Sequence, residues 1–112
     1  MMFERLLATT LATAVLASTA SLAFGQSADN SAASLYKTSC ASCHGPDGRG
    51  SAVGKSLHAA DFYSPQVQKQ SDEQLAAVIA QGRGNMPPFG TRLSKDQIDA
   101  LVKYLRTLGK AK

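Results

Sequence analysis

The chain has 112 residues and only two cysteines, Cys40 and Cys43, so no framework of several disulfides is available to staple a small fold. No segment alternates apolar and polar residues over four or more positions, and β-branched residues are scarce, which argues against a sheet-based domain. Charge of one sign never gathers into a run. The twelve basic and eight acidic residues, net +4, are interspersed, and nothing resembles a nucleic-acid-binding arm. Aromatic residues make up 6% of the chain, too few to fill a large core by themselves.

Residues 1–25 read as an export signal. Arg5 closes a short n-region, Leu6 to Leu22 is uncharged and rich in Leu, Ala, Val and Thr, and Ala23-Phe24-Gly25 ends it in the small-x-small pattern of a signal peptidase site. Cleavage after Gly25 is the first choice and after Ala23 the second. The Thr, Ser and Ala content makes a poor membrane span, so no stable span is expected after processing, and no cysteine flanks the cut to take a lipid. The expected location is the periplasm. Removing residues 1–25 leaves about 87, with 26–30 a disordered leader and 31–112 one domain near the lower size limit for a self-sufficient core. Such a chain needs a staple, and a large apolar cofactor would supply one. Glu4 and Arg5 leave together, so the net charge stays at +4, a balance that suits encounter with acidic docking surfaces.

The domain reads as all-α, with three main helices and one short helical turn. Ser31 to Cys40 lacks Gly and Pro and sets Ala32, Leu35, Tyr36 and Ser39 on one face. Gly45 to Gly50 is a glycine-rich turn, and Ser51 to Gln70 carries no sustained stripe beyond a helical turn at Ser64-Pro65, where Ser64 stands as cap. Ser71-Asp72-Glu73-Gln74 and Ser94-Lys95-Asp96-Gln97 are capping boxes. The helix after the first carries Leu75, Val78 and Ile79 and stops at Gly82. The helix after the second buries Ile98, Leu101, Val102, Leu105 and Leu108, and Asp99 and Lys103 form an i, i+4 pair on it.

Cys40-Ala41-Ser42-Cys43-His44 is the C-x-x-C-H attachment signature of covalent haem c, one per chain. On a helical turn, residues three and four apart share a face, so two thiols can bond the vinyl groups along one haem edge while His44 reaches the iron. Three rivals compete. A disulfide between Cys40 and Cys43 would close a tiny loop, a thioredoxin-like pair needs a βαβ context, and a zinc site would draw on Cys40, Cys43, His44 and His58 without finger spacing. For the iron's sixth position Met86 is favoured and His58 is the rival. Met86 is the one methionine after the signal and sits in Gly82-Arg83-Gly84-Asn85-Met86-Pro87-Pro88-Phe89-Gly90, where the two prolines stiffen the strap.

These residues resemble the class I monohaem cytochromes c, nearest to the small bacterial soluble type and the cytochrome c domains of oxidases. Cys40 to Gly45 matches the haem motif, Gly84 to Phe89 resembles the distal methionine strap, and Leu93 to Leu108 resembles the C-terminal helix. The resemblance implies the class I fold wrapped around one covalent haem, with Ala32, Tyr36 and Tyr104 at the crossing of the first and last helices; Ala32 stands where the family usually has glycine. Many members have a proline whose carbonyl orients the proximal histidine, and this chain has Lys55-Ser56-Leu57 there, so the acceptor for His44 is not named by the motif.

The resemblance further implies His44 and Met86 as the iron's two ligands and single-electron shuttling between protein redox partners of a respiratory or similar chain, with no enzymatic step. Lys37, Arg49, Lys55, Arg83 and Arg92 are the candidates for the rim of the haem edge. The alternative is a haem enzyme or gas-binding protein with an open sixth position, in which His58 serves as the distal acid or base. A haem-free metal-binding module is the third possibility.

Overall fold

The computed structural model describes residues 28–110, with side chains from Ala32 onward. The expected export signal and residues 26 and 27 of the expected leader lie outside the described residues. Within them the chain forms α1 (Ala28–Ser39), α2 (Ala41–His44), α3 (Ala52–Ser56), α4 (Pro65–Gln68), α5 (Asp72–Gln81) and α6 (Lys95–Leu108), and no strand beyond one isolated bridge. None of these helices is long and apolar enough to cross a membrane. The first begins inside the segment expected as leader, because Ala28-Asp29-Asn30 contains neither Gly nor Pro to break a helical turn.

Both capping boxes form. Gln74 N donates to Ser71 Oγ at 3.1 Å and Ser71 N to Gln74 Oε1 at 2.9 Å, and Ser94 and Gln97 repeat the exchange at the same distances. Gly82 ends α5 at φ 73°, donating its N–H to Val78 O. Pro65 opens α4, but Ser64 does not cap it through its side chain; Ser64 Oγ donates instead to Asp61 O at 2.7 Å.

α3 is a helix the sequence pattern does not show, since five residues carry no stripe. It forms because Ser51 Oγ accepts from Gly54 N at 3.0 Å, and because Gly54 lets it lie directly on the carbonyl of Cys43. A Cβ at residue 54 would overlap that oxygen.

α6 packs against both α1 and α5. Its expected face is buried at Ile98, Leu101, Val102 and Leu105, and half-buried at Leu108. Ala32 is 1% exposed, and the Tyr36 and Tyr104 rings lie 5.2 Å apart. Arg106 ties α6 to the α4–α5 link, donating to Asp72 Oδ1 and to the carbonyls of Gln68 and Gln70. The ion pair at Asp99 is with Lys95 at 2.6 Å rather than with Lys103. Side chains lean toward a helix N-terminus, so the short Asp99 carboxylate tips toward Lys95. Both groups are solvated, and the pair contributes little.

Candidate cofactor site

The helical path continues through the cysteine motif. Cys40 N donates to Tyr36 O, His44 N to Cys40 O and Gly45 N to Ala41 O, so the turn of α2 sets Cys40, Cys43 and His44 on a common side. The carbonyls at its end are all occupied. Ser51 Oγ donates to Ser42 O, Ser51 N to Cys43 O, Gly50 N to His44 O, and the Tyr36 hydroxyl to Gly45 O at 2.6 Å. The turn is therefore held by the following loop rather than by its own length, which four residues could not supply.

All three side chains line a cleft of about 680 Å3, within the range that cofactor sites occupy. Its walls are mainly apolar, with Leu57, Phe62, Val67, Leu75, Ile79, Phe89 and Leu105 among them. Both cysteines are free, and burial pushes the Cys40 thiol up to about 11. His44 Nδ1 lies 3.1 Å from Ala60 O. A carbonyl only accepts, so in the neutral ring Nδ1 carries the proton and Nε2 keeps a free lone pair.

The pKa of His44 is lowered by burial, which outweighs the opposite pull of the Ala60 carbonyl. The stability contributed by this neutral ring is complete above the ordinary histidine value and is lost as the pH falls through the lowered one. Ala60 escapes sequence reasoning because the acceptor is a backbone oxygen, which any residue type would carry.

Met86 lines the same cleft from a strap anchored at several points. Arg83 and Met86 exchange two backbone hydrogen bonds at 3.1 and 2.9 Å, Phe89 N donates to Ile79 O, Gly90 N to Ala80 O, and Asn85 Nδ2 to Leu57 O across the cleft. Pro87 and Pro88 have no N–H to satisfy. His58 also lines the cleft, exposed, with a left-handed backbone at φ 62°. Among the described residues no three His, Cys, Asp or Glu side chains converge as metal ligands, so the zinc set of Cys40, Cys43, His44 and His58 is not assembled.

Of the basic residues expected at the rim, Arg83 lines the cleft, whereas Arg49 lies over the Tyr63 ring and Arg92 over Phe89.

A helical C-x-x-C-H turn, an imidazole with Nε2 free and a strapped methionine around one apolar cleft fit the attachment of a haem, and they define a c-type cytochrome domain. Residues 27–105 match the family profile described as cytochrome c oxidase, cbb3-type, subunit III, and the chain belongs to that family. It is 34% identical over 73 residues to cytochrome c6 of Microcystis aeruginosa, covering 65% of this chain and 88% of the relative. It is 35% identical over 78 residues to the cbb3-type cytochrome c oxidase subunit FixP of Azorhizobium caulinodans, covering 69% of this chain and 26% of that longer protein. The solved structure of the KustC0563 c-type cytochrome aligns at a TM-score of 0.66 and 34% identity, covering 70% of this chain and 98% of that one. The chain is thus a small monohaem cytochrome c of the class I type, an electron-transfer protein whose family implies covalent haem c.

Proposed function

We propose that Cys40 and Cys43 would carry the haem on two thioether bonds, each thiol adding across one vinyl group, and that His44 and Met86 would ligate its iron. The chain then shuttles single electrons between redox proteins of a respiratory or similar chain in the periplasm, and it catalyses no reaction of its own. The observation that supports this most is that the attachment turn, the free Nε2 of His44 and the strapped Met86 all line one apolar cleft.

When bound, the haem would supply a one-electron couple whose potential a methionine ligand would raise. The chain's own residues do the rest. Cys40 and Cys43 fix one edge of the site, so that no docking encounter can strip the cofactor. His44 keeps its Nδ1 proton on Ala60 O and offers Nε2 throughout. Met86, held by the bridge to Arg83 and the tie from Asn85 to Leu57, would supply the second ligand and so leave no iron position open to water or small molecules. The mainly apolar walls would keep much of the bound group away from solvent. Exposed Lys55, Arg83 and other scattered basic residues favour brief encounter with acidic partner surfaces.

The test is the optical spectrum of the purified oxidised protein. It should be low-spin with a methionine-to-iron charge-transfer band that disappears in Met86→Ala and survives in His58→Ala. A high-spin wild-type spectrum would sink the carrier reading in favour of an open sixth position, as in a haem enzyme or gas-binding protein. A low-spin wild type that lacks the band and becomes high-spin in His58→Ala would make His58 the ligand.

A further inference from the structure

Phe62 is a buried aromatic to which neither the attachment motif nor the strap gives a role. It is 6% exposed, and its ring stacks on the His44 imidazole, with centroids 4.8 Å apart and planes 27° from parallel. The ring is fixed from its other sides. The edge contact with Tyr36 is 6.1 Å between centroids at 64°. Phe62 N donates to Gly48 O at 2.9 Å, and Phe62 O accepts from the Gln68 side chain. Gly48, at φ 80°, leaves open the space into which the ring projects: a Cβ there would lie 2.5 Å from Phe62 Cδ2.

Two residues upstream, Ala60 O accepts from Nδ1 of the same imidazole. A single hydrogen bond at Nδ1 fixes where that nitrogen points, but it leaves the ring free to swing about the bond. A flat side chain against the ring face removes that swing. Stacked ring pairs also gain attraction beyond the area they bury.

We propose that Phe62 is a positioning residue for His44, and that residues 60–62 form a two-point clamp on the imidazole. Ala60 O sets its Nδ1 direction, and the Phe62 ring sets its plane. The proposal rests on the reading of His44 as an axial ligand and deepens it. The signal for it is tertiary: Phe62 lies eighteen residues beyond His44 in a stretch without helical periodicity, and the bonds of Phe62 N to Gly48 O and of His44 Nδ1 to Ala60 O bring the two rings together. Partners that orient a metal-bound histidine tune the metal as well as hold the ring.

The experiment uses the haem-loaded protein. In an oxidised low-spin haem, unpaired spin density follows the planes of the axial ligands, so the pattern of shifted haem-methyl proton resonances reports the orientation of the His44 ring. Phe62→Leu should retain a low-spin, imidazole-ligated spectrum while moving these resonances relative to one another. Phe62→Tyr, which keeps a flat ring, should preserve the wild-type pattern. Gly48→Ala pushes on the ring without replacing it and should move the same resonances, which covers the case in which Phe62→Leu does not fold. If Phe62→Leu loses thermal stability but keeps the wild-type pattern, Phe62 is core filling only, and the clamp is overturned while the ligand reading stands. A wild-type spectrum without imidazole ligation would overturn both.

Discussion

At Gly54 one missing methyl group decides whether the loop can hold the attachment turn. The residue is buried, and a Cβ would collide with Cys43 O, a backbone atom that cannot swing aside. Gly54→Ala should therefore displace α3 and loosen Ser51, whose hydroxyl and N–H occupy the Ser42 and Cys43 carbonyls. The expected cost is ~3 kcal/mol, the upper range for overpacking a tight site, read from thermal unfolding of the haem-loaded protein. A melting temperature equal to that of wild type would show that α3 shifts freely. Neither Gly54 nor Ala60 announces its role in the sequence. Gly54 is one of nine glycines, and its constraint comes from a carbonyl eleven residues earlier; Ala60 acts through an atom that every residue possesses.

Among the elements, α5 and α6 were legible because their signals are local. A capping box spans four residues and a helical stripe repeats every three or four, so no long-range contact is needed to read either. Ser94→Ala, which removes the cap at Gln97 N while leaving the core face intact, should cost about 1 kcal/mol. In a domain of this size that is a fall of about 4–8 °C in melting temperature, measurable by circular dichroism. An unchanged melting temperature would mean that burial of Ile98 and Leu101 alone fixes the start of α6. The strap was legible only in part. Gly82 and the prolines mark a break, but the use of that break is tertiary: residues 82, 89 and 90 return to the carbonyls of Val78, Ile79 and Ala80, which the end of α5 would otherwise leave without partners.

For the molecule as a whole, the core and the cofactor cleft share their walls. Tyr36, Phe62, Val67, Leu75, Ile79, Phe89, Leu101 and Leu105 belong to the buried cluster and also line the cleft. Removing the haem would leave one side of each without a packing partner, and the short helices around the cleft would lose the surface they share. Cys40→Ala/Cys43→Ala should therefore yield a largely disordered apoprotein by far-ultraviolet circular dichroism. Native-like helix content in that variant would show that the helices support one another without the cofactor.

The sequence alone determined the all-α class, the two capped helices, the face that α6 buries and the attachment motif, because each is written in residue types at short, fixed spacing. Tertiary structure decided what surrounds His44. The Ala60 carbonyl, the Phe62 ring and the clearance at Gly48 and Gly54 come from backbone atoms and empty space contributed by a loop without periodicity. Residue identity carries almost no information about a carbonyl's direction or a gap's location until the chain has folded around both.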